Sequence, residues 1–438
     1  MKILNRLLIV IFCMALFYSC SEPDEFLDEA PVMLKKAMIK VQPSNEPNVQ
    51  AKADEDWKNI TDALQDAGPG ETVMLGEGIF YLRKSVVVWN FNGTLRGTGR
   101  NKTIIQTAPG EIFDRSASPA LDWSFELNDG HFMICFPHHN NLEKRTVIVS
   151  DLKIVINEPC DTYKLRDLVW GGEKERNTLQ AINVHYENLV GGAPGSWGDL
   201  TLLDKIDLNV LFKNITVIGE EGSEYMGSGY SVKAGLTAFG ASTGKFEAKN
   251  IYMENVANGM LLHAFCGDNS RVTVKNVKIE NTPAAIYSFL VPSFDIKNNE
   301  FKNVKGLALD LFSNNPMVTF DLPTNLSSFI ANNLFMMDGT EAAIFGGRIH
   351  NANVYNNTFT GTSSTGIQLN FGAPWEVGNC SNWSIKNNDM CDLNVTNGAT
   401  IMLHKAVDCE VKNNAYQIVG GSSADDPTNV ISNPKECN

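Results

Sequence analysis

The sequence predicts an all-β fold, a single polypeptide wound into a solenoid of short strands. Three observations carry this. A seven-residue segment centred on asparagine appears in eight copies. Apolar and polar residues alternate in short runs around it. An amphipathic stretch ending in a Gly-Pro-Gly break precedes the first such runs. Alternation with a period of two is the pattern of a strand with one buried face, and self-similarity every few tens of residues marks a repeat architecture.

Taken from the start of the chain, "MKILNRLLIVIFCMALFYSC" places two basic residues before an apolar run, the pattern of a signal peptide over residues 1–19. The small Ser19 before Cys20 resembles the cleavage site of a bacterial lipoprotein signal, which implies that Cys20 is lipidated and begins the mature chain. The following "SEPDE" resembles the acidic tag of surface-exposed lipoproteins of polysaccharide-degrading Gram-negative bacteria. It implies a lipid anchor in the outer membrane, a cell-surface location and no other membrane contact. Residues 20–54 lack a strand pattern and are expected to be a flexible tether. No later run approaches the ~18 apolar residues of a membrane-spanning helix.

The formal charge is −14, and −16 once residues 1–19, with two basic and no acidic residues, are removed. Such a surface argues against nucleic acid as a partner. Without Cys13 and Cys20 seven cysteines remain, an odd number with no Cys-x-x-Cys spacing, so buried free thiols are expected rather than a disulfide framework or a zinc site.

"DWKNITDALQDAGPGETVMLGEGIFYL" (56–82) reads as a short helix, a break and a first strand, with the helix covering one open end of the core. "GTLRGTGRNKTIIQT" (93–107) reads as the first coil, followed by the strands "TVIVSDLKIVI" and "LQAINVHYE", with long loops at 159–177 and 189–205. Then come the repeats: "LFKNITV", "EAKNIYM", "TVKNVKI", "DIKNNEF", "IANNLFM", "NVYNNTF", "SIKNNDM" and "EVKNNAY", aligned on Asn214, Asn250, Asn276, Asn298, Asn332, Asn356, Asn387 and Asn413. Their spacings of 36, 26, 22, 34, 24, 31 and 26 residues suit one coil each, with loops inserted in the longer ones. The pattern resembles the right-handed parallel β-helix of the pectate lyase superfold. There each coil has three strands, and a stacked asparagine occupies a tight turn between the second and the third. Asparagine tolerates left-handed backbone geometry, and its amide can bond to the coils above and below. The solenoid is expected over 55–420, and the tail 421–438 either closes its far end or frays.

By that resemblance the strand after the third turn of the coil lines the face where substrates lie. Candidate copies are "GMLLHAF", "AAIYSFL", "GLALDLF", "AAIFGGR", "GIQLNFG" and "ATIMLHK". Alternation turns His263, Asp310, Asn370 and His404 outward and, where small residues blur the register, Ser288 and Arg348 as well. Lys233 and His185 extend the column backward. Asp310, His263 and Lys233 are the expected catalytic residues: Asp310 is the first candidate for acid or base and His263 the second, with Lys233 or Arg348 as the cation. His185, Ser288, Arg348, Asn370 and His404 are expected to hold substrate, with Trp197 and Trp375 stacking on sugar rings from flanking loops. The ordinary account of each polar residue alone is a solvated outward position.

The "NTD", "GHG" and "RIK" pattern of polygalacturonases is absent, as is the Arg-x-Pro-x-x-Arg of pectate lyases. "DGTE" (338–341) approaches the Asn-Gly-x-Glu of alginate and chondroitin lyases, but its first residue differs and no lysine base accompanies it, so it is set aside. No cofactor is expected; the calcium common in such lyases has no support in the sequence. The reading is a monomeric, surface-anchored protein acting on a polysaccharide or oligosaccharide, as a lyase or a glycoside hydrolase. The alternative is a glycan-binding or adhesive lipoprotein without catalysis.

Overall fold

A strand such as Arg271–Lys275 is too short to stand alone, since only Val272 and Val274 of its five residues are core-facing. It gains stability by stacking in parallel between copies of itself, Lys245–Lys249 on one side and Phe294–Lys297 on the other. In the computed structural model this stacking runs the length of a right-handed parallel β-helix. The described residues are 38–114, 131–138, 144–166, 173–186, 207–226, 229–239, 244–263, 265, 267, 270–312, 324–370, 379–416, 418–435 and 437.

A representative coil contains the strands Lys245–Lys249, Tyr252–Glu254 and Val256–His263. The first two strand positions belong to one 21-stranded sheet, joined through long strands such as Leu208–Ile218 that run around the corner. The third strands form a separate 11-stranded sheet. One continuous core fills the interior, with Phe301, Phe335 and Phe359 stacked at centroid distances of 5.3 and 4.7 Å.

Counting strands from Lys245–Lys249, the asparagine repeat is the corner between the first and second strands, and two residues divide its work. The aligned asparagines all take a left-handed backbone, with φ between 53° and 58°, where asparagine costs less than most side chains. Stacking falls instead to the next residue. Asn299, Asn333, Asn357, Asn388 and Asn414 are buried, and each amide donates to the Oδ1 of the next at 2.9 Å. That same Oδ1 also accepts the preceding asparagine's backbone N–H, as in Asn299 to Asn333 at 3.0 Å. In the earlier coils Ile215, Ile251 and Val277 occupy this place and join the core. A second stack links Asn255, Asn281 and Asn303, again left-handed, at the following corner.

Both ends differ from the sequence expectation. The first strand is Met38–Val41, paired with Thr72–Leu75, and the helix begins at Val49, so ordered structure reaches well into the expected tether. Asn48 caps the helix by accepting from Ala51 N at 2.9 Å, and Ile60, Ala63 and Leu64 face the core. Thr72–Leu75 and Gly78–Leu82 stack beneath Gly93–Arg96 and Thr103–Thr107, so a complete coil precedes the one expected to be first. At the far end the tail closes the solenoid: Val430–Ser432 pairs with Glu410–Lys412, and a disulfide joins Cys391 to Cys437. The expectation of free thiols therefore fails for these two and holds for the buried Cys135, Cys160, Cys380 and Cys409. The loop expected at 159–177 carries a hairpin, Tyr163–Arg166 against Glu173–Arg176. Cys20 and the 189–205 loop lie outside the described residues.

Replacing Asn333 by leucine would strip Asn299 of the acceptor for its N–H and for one of its two amide hydrogens, and leave Ile296 O without its donor. Each unsatisfied buried group costs about 1–3 kcal/mol, so Asn333→Leu should lower the urea midpoint clearly. Asn332→Gly, at an exposed left-handed position, should leave it nearly unchanged.

Candidate functional site

The inward residues of the third sheet fix what faces out. Met260, Leu262, Ile286, Leu309, Leu311, Ile367 and Leu369 all join the core. His263 and Asp310 therefore lie on the outer face, as expected. Ser288 does not: it pairs with Leu262 and Leu311, is fully buried, and its hydroxyl donates to Asp310 O at 3.4 Å. The outer position of that strand belongs to Tyr287. Its neighbours on adjacent rungs are Leu261 and Asp310, and Asp310 in turn lies beside Phe345.

His263 occupies the next outward column, paired with Phe289. By register its Cα lies on the order of 12 Å from that of Asp310, two rungs and two residues away. Tyr287 spans the gap, its ring centroid 5.8 Å from that of His263. Phe289 stands 5.7 Å from His263 and 6.5 Å from Phe312, and Phe312 is 5.0 Å from Phe345. The outer face thus presents one imidazole, one phenol and one carboxyl among aromatic rings.

The electrostatics follow from burial. Asp310 is 8% exposed, and its Oδ1 is buried without a hydrogen-bond partner among the described residues. Burial, with the charge of Glu341 adding to it, pushes its carboxyl from 3.8 up to about 8. The His263 imidazole is pushed the other way by burial, from 6.5 down to about 3. Burial and the nearby Asp310 raise the Tyr287 phenol above its ordinary value. At neutral pH all three groups are uncharged, the carboxyl as a proton donor and the imidazole as a proton acceptor. Glu341 ends the "DGTE" segment that sequence reading set aside.

Other expected site residues lie elsewhere. Lys233 is at the opposite end of its strand, buried, with its carbonyl accepting from Asn258 Nδ2 at 3.1 Å. By register it sits roughly 15–20 Å from both Asp310 and His263, so the structure does not bring the expected cation to the acid and base. His185 shares His263's column two rungs earlier, through Phe239. It is fully buried against Asn183 and Cys135, and burial pushes it down to about 3. Arg348 lies one residue beyond its strand at φ 55°; burial lowers the pKa of the nearby His350, and the charge of Arg348 adds to that shift. The Asn370 amide is occupied with backbone: it donates to His404 O and Lys405 O at 3.1 and 3.3 Å and accepts from Arg348 N at 3.3 Å. It is therefore a clamp at the turn and does not face outward. His404, on the final rungs, contacts Ser422 of the closing tail at 3.4 Å. Trp197 and Trp375 lie outside the described residues.

Among known proteins, residues 214–372 match the family model described as periplasmic copper-binding protein (NosD), which is less than half of the chain. No curated protein matches in sequence. Among solved structures, the chain is similar to the Azotobacter vinelandii mannuronan C-5 epimerase AlgE4 A-module, at 13% identity and a TM-score of 0.46, over 88% of this chain and 92% of that one. It is also similar to a Yersinia enterocolitica family 28 exopolygalacturonase, at 11% identity and a TM-score of 0.42, over 92% and 78%. A third likeness is to the Streptococcus pneumoniae surface protein and adhesin PfbA, at 13% identity and a TM-score of 0.40, over 87% and 94%. The winding is that of the pectate lyase-like β-helices, as the sequence led us to expect.

Folded Asp310 keeps its proton to about pH 8, whereas the unfolded side chain releases it near 3.8. The folded state holds the extra proton between these values, so stability falls as pH rises through that window. Between pH 5 and 7 the wild type should lose stability relative to Asp310→Asn, on the order of 1 kcal/mol per pH unit, measured by urea unfolding of both proteins.

Proposed function

We propose that this protein is a carbohydrate-active β-helix enzyme that works on a polysaccharide laid across the outer face of the third sheet. The observation that carries this reading is Asp310. A carboxyl buried without a partner for one oxygen lowers stability, and perturbed, under-satisfied ionisable groups of this kind concentrate at functional sites. On a β-helix an outward position can be filled by any soluble residue, so nothing in the winding itself demands a buried acid there.

The chemistry is acid–base work on a bridging or ring-substituent oxygen. Asp310, protonated at neutral pH, donates the proton, and neutral His263 accepts one. Tyr287 orders the space between them, and the partly exposed rings of Phe289 and Phe312 offer apolar faces to sugar rings. Uncharged groups together with the nearby Glu341 favour a neutral sugar over a uronate at this point. The elimination route that would use Lys233 as charge neutraliser loses its cation, and hydrolysis or another proton-transfer step on a neutral unit is the better reading. Among the described residues no three His, Cys, Asp or Glu side chains gather to hold a metal.

We place the protein outside the cytoplasm, lipid-anchored through Cys20 at the cell surface. The support is the signal-like N-terminus and the Cys391–Cys437 disulfide, which suits an oxidising compartment.

Product release from neutral and acidic polysaccharides, scored as new reducing ends and as unsaturated products, tests the reading. Asp310→Asn should reduce the rate by 10²-fold or more with little loss of binding. The wild-type profile should fall above about pH 8, as Asp310 ionises, and below about pH 3, as His263 gains a proton. Binding without product from the wild type, unchanged in the variant, would favour a non-catalytic glycan-binding module.

A further inference from the structure

A second surface lies away from the third sheet, at the asparagine corner. Each aligned asparagine there is followed by one that turns into the core, and a furrow of about 410 Å³ opens along the corner across three successive rungs. One wall is the exposed Asn298, Asn332 and Asn356, and the other is Glu300, Leu334 and Thr358. The second wall is one register column, Glu300 beside Leu334 and Leu334 beside Thr358. The volume falls within the usual range for ligand sites, roughly 300–1,000 Å³.

The side-chain amides of Asn298, Asn332 and Asn356 make no hydrogen bond within the described protein. Two of the corner asparagines in earlier coils are used internally: Asn250 donates to Asn214 Oδ1 at 3.2 Å, and Asn214 donates to Asp151 at 2.9 Å. Charge at the furrow is already balanced. Lys297 pairs with Asp295 at 2.9 Å, and Glu300 pairs with Lys302 at 2.8 Å. The furrow therefore offers neutral donor–acceptor groups, one per rung about 4.8 Å apart, facing an apolar Leu334 between two polar side chains. Tyr355, partly exposed, precedes Asn356 at the edge.

From this arrangement we propose that the asparagine corner is a binding site for a neutral oligosaccharide, distinct from the outer face of the third sheet. A sugar chain presents hydroxyls as paired donors and acceptors and C–H faces as apolar patches, repeating at a pitch close to one rung. An amide matches the first and Leu334 the second. A polyanion would find no uncompensated cation here, and an apolar ligand would strand three amides. The corner holds a polysaccharide in place while chemistry proceeds on the other face. This inference stands on the corner's geometry, and Asp310 takes no part in it.

Affinity electrophoresis of the full chain tests it, in gels containing arabinoxylan, glucomannan, mixed-linkage glucan or polygalacturonate. The triple variant Asn298→Gly, Asn332→Gly, Asn356→Gly removes the amides while keeping residues suited to φ of 56–58°, and its urea midpoint reports that it is folded. Retardation is expected in at least one neutral gel, weakened at least tenfold in the triple variant and retained by Asp310→Asn. Retardation that survives in the folded triple variant, that disappears in Asp310→Asn, that occurs only with polygalacturonate, or that is absent from all four gels overturns the proposal. A loss of product release in Asp310→Asn with corner binding intact separates this site from the catalytic reading.

Discussion

The parallel pairing of each short strand with its copies in the coils above and below is the constraint on which everything else rests. No coil can bury its apolar face alone. Each must present its side chains at the same places as its neighbours, and the corners must turn through the same angle every time. Asparagine meets both demands with two adjacent residues. One accepts the left-handed backbone, and the next carries an amide whose donors and acceptor are all used between coils, from Asn299 to Asn414. Where the second residue is Ile215, Ile251 or Val277, hydrophobic contact replaces the amide stack and the corner keeps its shape.

A lattice this regular can hold a residue that is unfavourable where it stands. Asp310 lies between Tyr287 and Phe345 on neighbouring rungs, and neither supplies its buried oxygen with a hydrogen bond. The backbone ladders on either side keep it there, so the carboxyl responds by holding its proton rather than by moving. His263 responds to burial in the opposite sense. The same rigidity gives the outer corner its even spacing of amides, so a single winding produces both a buried acid–base face and a solvated polar furrow.

Much of the fold is legible in the amino-acid sequence, because repetition is a property of sequence. Eight "Asn-x" segments, alternation around them and an amphipathic stretch ahead of them lead to the β-helix and its helical cap. The division of labour within Asn-Asn was not legible: both residues have the same side chain, and only burial tells the turn from the ladder. The outer face was read in part. His263 and Asp310 follow from strong Leu and Met alternation. In "AAIYSFL" alanine fits either face, and Ser288 took the place that belongs to Tyr287. The i, i+2 pair Tyr287 and Phe289 was the available signal, since two aromatics on one side of a strand next to His263 mark a covered outer surface. Lys233 was misplaced because a column was drawn through sequence segments without knowing how far along each strand its members stand. Asn370 was misplaced because an outward parity at a strand end becomes a turn.

The amino-acid sequence by itself determined the winding, the corner residues and the outward parity of His263 and Asp310, since these depend on local periodicity and on which side chains tolerate a left-handed backbone. Only the tertiary structure decided which outward groups lose water and which meet each other. Burial of Asp310 and His263, the approach of Glu341 and the joining of Cys391 to Cys437 depend on segments far apart in the chain. Desolvation and cross-coil distance have no counterpart in a one-dimensional pattern, and they set the charge state on which any chemistry here depends.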